Sequence, residues 1–110
     1  MRKALIIKKP DSPCFDDHAF LQQGGMQADA HHDGHSALEA YRSGRYRYVF
    51  VSMELQQEDP LAIVREIRGM ESELGLPPAQ IVLSAPERQP SETEIQRYQI
   101  CGVIRSHRMR

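Results

Sequence analysis

The chain is poor in the features that mark the more specialised protein classes. Cysteine occurs only as Cys14 and Cys101, far apart in the 110 residues. Two isolated thiols make neither a disulfide framework nor a metal-type cysteine pair, so reduced cytosolic thiols are the default expectation. An excess of one charge is missing as well, because Lys+Arg 14 against Asp+Glu 15 leaves a net charge of -1. That balance offers no global electrostatic footprint for nucleic acid. Basic residues gather only in the short tail over residues 105–110, where Arg105, Arg108 and Arg110 lie. No apolar run approaches the ~20 residues that a membrane-spanning helix requires. The apolar segment near the start is cut off by Lys8-Lys9-Pro10, too soon for a signal peptide, so a cytoplasmic protein without membrane contact is expected. Internal repeats and low-complexity tracts are absent too. At this length residues 1–110 are expected to form one small domain, large enough for a real core and too short for two.

What is present is organised around residues 46–68, YRYVFVSMELQQEDPLAIVREIR. Tyr48-Val49-Phe50-Val51 is β-branched and aromatic without alternation, the pattern of a strand buried on both faces. A polar loop over residues 54–59 follows. Asp59-Pro60 then starts a helix, since Asp accepts bonds from orphan first-turn amides and Pro at the first position loses none. Leu61, Val64, Ile67 and Met70 give that helix an apolar stripe. Strand, polar loop and amphipathic helix make half of a parallel βαβ unit. Ser52 ends the strand, where open α/β sheets place their ligands.

The rest of the chain repeats this alternation. Ala4-Leu5-Ile6-Ile7 is a second buried strand, ended by a turn with Pro10 and Pro13. A helix capped by Ser12 is predicted through Phe15, Ala19, Phe20 and Leu21, stopped by Gly24-Gly25. Residues 26–30 are a weak strand suited to an edge, and residues 31–34 a turn. A short helix over residues 36–42 closes near Gly44, and the helix after the organising strand ends at Gly75. Residues 81–85 form a third buried strand. Ser91 with Glu94 is a capping-box signature for a helix through Ile95, Tyr98 and Ile100, and residues 101–104 a last short strand. Strands alternating with helices require parallel pairing and right-handed crossovers. A flavodoxin-like, doubly wound, five-stranded parallel α/β sheet in the order 2-1-3-4-5 places the two poor strands at the edges.

In this order and spacing the chain resembles a bacterial response-regulator receiver domain over nearly everything from Lys3 to Ile104. The resemblance is carried by Asp33-Gly34 with Ala37-Leu38, by residues 46–68 with Asp59 and Val64-Arg65-Glu66-Ile67-Arg68, and by Ser84-Ala85. It implies a site that the sequence then alters. The family's two-acid pair after the first strand, which helps hold Mg²⁺, reads Lys8 and Lys9. The phosphate-accepting aspartate reads Ser52. The hydroxyl position after the fourth strand is kept as Ser84, and the lysine expected after the fifth strand is not matched. Mg²⁺ is bound through oxygen, usually with one or two carboxylates, whereas two ammonium groups repel it. A serine hydroxyl also needs a base to act as nucleophile. Glu54 falls on the side of Ser52 only if the strand persists that far, and Asp11 only if the turn shifts register.

The resemblance therefore implies a pseudo-receiver, without enzyme activity, cofactor or metal. Such a domain acts through protein–protein interaction, with a histidine kinase, another regulator or a second copy of the chain as partner. The surface carried by the fourth helix and the fourth and fifth strands would do this, with Ile95, Tyr98, Ile100 and Val103 as candidate residues. The family's final helix is expected to be absent, which would leave an apolar strip beside residues 14–23 and a second interface, for example in a homodimer. A competing expectation takes Lys8, Lys9, Ser52 and Ser84 as a basic pocket for a small anionic metabolite or nucleotide. The plainer alternative is a dead site whose lysines point to water or pair with Asp11 and Glu54. His31, His32 and His35 are expected to be a surface turn rather than a metal site, because neighbouring strand residues diverge. Tyr46 and Tyr48 beside Arg45 and Arg47 are expected to serve the sheet rather than nucleic acid.

Overall fold

Ala4-Leu5-Ile6-Ile7, apolar at every position, lies inside a parallel sheet and shows no side to solvent. The computed structural model describes residues 2–9, 26–44, 46–53, 55, 58–84 and 90–104. Among them the elements are β1 (Arg2–Ile7), β2 (Met26–His31), α1 (Gly34–Ser43), β3 (Tyr48–Ser52), α2 (Pro60–Leu74), β4 (Gln80–Ser84), α3 (Glu92–Arg97) and β5 (Ile100–Ile104). One five-stranded sheet runs β2-β1-β3-β4-β5 with every neighbouring pair parallel. This is the flavodoxin-like order expected, with the apolar-poor β2 at one edge. The helix expected through Phe15 and Leu21, its stop at Gly24-Gly25, Cys14, the basic tail and the place of a final helix lie outside the described residues.

Alternation along the strands sorts the core into two faces. Leu5, Ile7, Val49, Val51, Ile81 and Leu83 meet Ala37 and Tyr41 of α1 and Leu61, Ile63, Val64 and Ile67 of α2. Ala4, Ile6 and Phe50 form a second cluster, with Ala28, Tyr48 and Val82 half-buried against it. Burial on both sides is why β1 and β3 read as unbroken apolar runs. Among the described residues Leu74 at the end of α2 is the only exposed large hydrophobic; the apolar strip expected beside residues 14–23 borders a segment outside them.

Local chemistry sets the helix ends. The Asp59 carboxylate accepts from the Leu61 N–H at 3.1 Å, Pro60 opens α2, and Gly75 closes it with a left-handed φ of 67°. Asp33 accepts from the Ser36 N–H at 2.7 Å, so α1 begins at Gly34, earlier than the expected residue 36. Ser91 and Glu94 make the reciprocal capping box of α3. That helix stops at Arg97, because Gln99 adopts φ 54° and turns the chain into β5. Ile100 thus belongs to a strand rather than to the helix in which it was expected. The stripe of α2 also ends differently. After Ile67 the buried residue is Glu71, whereas Met70 is only half-buried.

Tyr46 lies two residues before β3. Its hydroxyl donates to Asp29 Oδ2 at 2.7 Å, its ring stacks on Tyr41 with centroids 6.4 Å apart, and Lys3 Nζ lies 5.0 Å from its ring centre. Tyr48 packs on the second cluster, so both tyrosines are engaged inside the fold. Burial, and then the Asp29 carboxylate, push the Tyr46 hydroxyl up from 10.0 to about 12. A raised value means that the folded state favours the neutral phenol. Its stabilising contribution is complete below the ordinary value and is lost as pH climbs from 10.0 through about 12. Tyr46→Phe is expected to remove this alkaline component from denaturation midpoints measured across that range.

Candidate functional site at the carboxyl ends of the strands

Strand register brings three of the expected site residues into one row. Ile7 pairs with Val51, and Ser52 with Ser84, so Lys8 follows β1 directly beside Ser52. The ladder continues at both sides, with Lys8 N–H donating to His31 O at 3.0 Å and Met53 N–H to Ser84 O at 2.8 Å. His32 Nδ1 lies 3.0 Å from the Lys8 carbonyl, which can only accept, so that ring nitrogen carries the proton. Alternation places the Lys8, Ser52 and Ser84 side chains on the side of the sheet shared with Ile6, Phe50 and Val82.

Exposure decides the character of this row. Ser52 is 0%, Ser84 3% and Lys8 6% exposed. Lys8 does not point to water, one of the two arms of the plainer expectation; the other, pairing with Asp11 and Glu54, falls on residues outside those described. Lys9, next along, is half-buried. Glu54, Asp11 and Ala85 lie outside the described residues.

Among the described residues, the acidic side chains on the loops at this end are committed to helix starts. Asp59 caps α2 and Asp33 caps α1. The bond from the Ser36 N–H is the main reason that the Asp33 carboxyl is held below its ordinary value. Glu58 reaches across to α1, where both of its oxygens accept from the Gly34 N–H, at 2.8 and 2.9 Å. That amide has no partner within its helix, and the positive end of the helix dipole favours a carboxylate there. Nothing in the spacing of the sequence flags Glu58, because it meets Gly34 only in three dimensions. A Cβ at Gly34 would overlap Glu58 Oε1 and press on Ile63. Gly34→Ala is therefore expected to displace Glu58 and to destabilise the fold by about 1–2 kcal/mol, read from urea midpoints.

These residues do not fit a divalent cation. The family resemblance implies Mg²⁺, whose ligands are oxygens and chiefly carboxylates; the row instead offers lysine and two hydroxyls. Among the described residues no group of three or more His, Cys, Asp or Glu is placed to hold a metal. His31 Nδ1 pairs with Ser36 Oγ at 3.2 Å while His32 serves Lys8, so the two rings have separate duties.

The residues expected to meet a partner sit elsewhere, at the α3–β5 side. Ile95, Tyr98 and Val103 are half-buried against the main core, and Ile100 is a member of it. Ile100, at 7% exposed, is thereby corrected from surface to core. The outward residues of this side are Glu92, Thr93, Gln96, Arg97, Gln99 and Cys101.

Solved structures with the same architecture include response-regulator proteins. A receiver domain from Methylobacillus flagellatus is 22% identical, with TM-score 0.75 over 96% of this chain and 86% of that one. A two-component response regulator from Clostridium difficile is 19% identical, with TM-score 0.76 over 96% and 83%. The response regulator TrrA of Thermotoga maritima, solved with Mg²⁺-BeF, is 20% identical, with TM-score 0.75 over 97% and 88%. TrrA in complex with the histidine kinase ThkA matches with TM-score 0.74 at 21% identity, over 97% and 87%. At these identities the likeness establishes a receiver-type fold. No family model matches the sequence, and no curated protein does.

Proposed function

We propose that this chain is a receiver-like signalling domain that takes up no phosphoryl group and works by protein–protein contact, within bacterial two-component signalling. One observation carries the reading: Lys8, at 6% exposed, stands in the strand-end row with Ser52 and Ser84. A cation there opposes Mg²⁺, since a like-charge contact at 4 Å costs roughly 4 kcal/mol per unit charge at an effective dielectric of 20. Ser52 is a hydroxyl needing a base, and Asp33, Glu58 and Asp59 are each bonded to a helix start. The alternative, a sensor of small anions at Lys8, Lys9, Ser52 and Ser84, gains from the charge but not from the burial. A row so little exposed offers an incoming ligand almost no surface.

The partner is then a histidine kinase or another regulator, in keeping with the ThkA–TrrA complex, and the α3–β5 side is the surface for it. Incubation with Mg²⁺ and a small phosphoryl donor is expected to leave the intact mass unchanged; an acid-labile adduct would overturn the phosphoryl-inert part. Capture with the full chain as bait is expected to retain a kinase or regulator that Arg97→Glu releases. Retention undisturbed by changes at Arg97 and Gln99 would move the surface elsewhere. A thermal shift with inorganic phosphate would transfer support to the anion sensor.

A further inference from the structure

The α3–β5 side packs on the main core through Ile95, Tyr98, Ile100 and Val103, but its backbone is locally weak. α3 has six residues and none of them buried, and its end leads into Gln99, the one non-glycine residue with positive φ among those described. Left-handed backbone is unfavourable for a residue with a Cβ, and the last carbonyls of a helix have no partner within it. β5 follows as an edge strand whose register shifts against β4 between Ile81 and Val82. Each of these features alone would let the segment wander.

Among the described residues, one side chain from another element is hydrogen-bonded to this turn. Arg68 of α2 donates through Nε to Tyr98 O at 2.9 Å and through Nη2 to Gln99 O at 2.9 Å. The other end of its guanidinium is fixed, with Nη1 donating to both Glu71 oxygens at 2.8 and 3.0 Å and to Ala79 O at 3.0 Å. Glu71 is held in turn by the Tyr41 hydroxyl at 2.6 Å and the Ala79 N–H at 2.8 Å. A planar guanidinium presents its donors in a rigid array, so anchoring one edge on α2 and Ala79 orients the other edge towards the turn.

We propose that Arg68 is a latch that fixes the α3–β5 turn against α2, holding Gln99 in its left-handed conformation and the edge strand in one place. If the function proposed above is right, this has a consequence for recognition: the partner meets a face already locked in a single geometry, with no phosphoryl-driven rearrangement needed. The latch itself stands on the hydrogen bonds, and its test does not depend on that reading.

Hydrogen exchange of the full chain, wild type against Arg68→Met, separates a latch from a general stabiliser. Methionine keeps the apolar stem and removes every donor. Protection over residues 92–104 is expected to fall by about tenfold or more beyond any change in β1 and β3, as for a locally opening unit. Adding Gln99→Gly, which tolerates the left-handed turn without help, is expected to return part of that protection. Unchanged protection over 92–104, an equal loss throughout the sheet, or no recovery with Gln99→Gly would each overturn the latch. The phosphoryl-donor assay on the same proteins reports on the functional reading separately, so failure of one is distinguishable from failure of the other.

Discussion

Glu71→Ala is expected to destabilise the protein by about 3–5 kcal/mol, the range for removing one partner from a buried ion pair. Glu71 is 7% exposed and takes hydrogen bonds from three separate elements: Tyr41 in α1, Arg68 in its own helix, and the backbone of Ala79 just before β4. Truncation to alanine leaves the Tyr41 hydroxyl and the Ala79 amide without this acceptor and the little-exposed Arg68 guanidinium without its counter-charge, and each carries its own desolvation cost. Tyr41 registers the same environment, since burial first and Glu71 second push its hydroxyl well above the ordinary tyrosine value. Glu71→Gln keeps one acceptor oxygen and is expected to lose less than the alanine variant. Equilibrium urea unfolding measures both. A loss below about 1 kcal/mol for Glu71→Ala, the typical effect of an ordinary point substitution, would mean that the network is not sealed from water in solution.

The network also shows where reading the sequence reaches its limit. Signals local to one element were legible: the unbroken apolar runs of β1 and β3, the cap Asp59-Pro60, the stop at Gly75, and Ser91 with Glu94. Each depends on a few neighbouring residues and on backbone chemistry that any context shares. Glu71 escapes such a reading because hydrophobicity alone marks a stripe. Four residues after Ile67 the buried face continues with a carboxylate, and its acceptors' partners come from α1 and Ala79. The warning available was Arg68 three residues before Glu71, a pairing of opposite charges beside a buried position. The start of α1 lies ahead of the expected residue 36 because the Asp33 carboxylate accepts from the Ser36 N–H and so caps a helix that begins at Gly34. The candidate site was legible as residue identities and strand ends. The near-complete burial of Lys8 was not, because lysine at the end of a strand ordinarily reaches water.

That burial leads to the second large effect, which concerns the charge of the strand-end row. Ser52→Asp alone is expected to leave the chain inert, because one carboxylate introduced beside Lys8 and Lys9 meets ammonium groups before it meets a metal. Combining Ser52→Asp with Lys8→Asp and Lys9→Asp reverses the sign of the row and supplies the carboxylate oxygens that Mg²⁺ prefers. Without metal, the three acids repel one another, at roughly 4 kcal/mol for a contact at 4 Å and an effective dielectric of 20. The triple variant is therefore expected to be far less stable than the wild type in chelator, with circular dichroism establishing whether it folds. Millimolar Mg²⁺ is expected to restore much of that loss, since a ligand at 100 times its Kd stabilises by about 2.7 kcal/mol. The wild type, presenting Lys8 to the same ion, is expected to show no change in Tm. Phosphoryl uptake from a small donor should follow the same division, absent in wild type and Ser52→Asp and present in the triple variant. Equal Mg²⁺ stabilisation of wild type and triple variant would show that oxygens other than those of the row bind the metal, and the two lysines would then no longer account for a phosphoryl-inert domain.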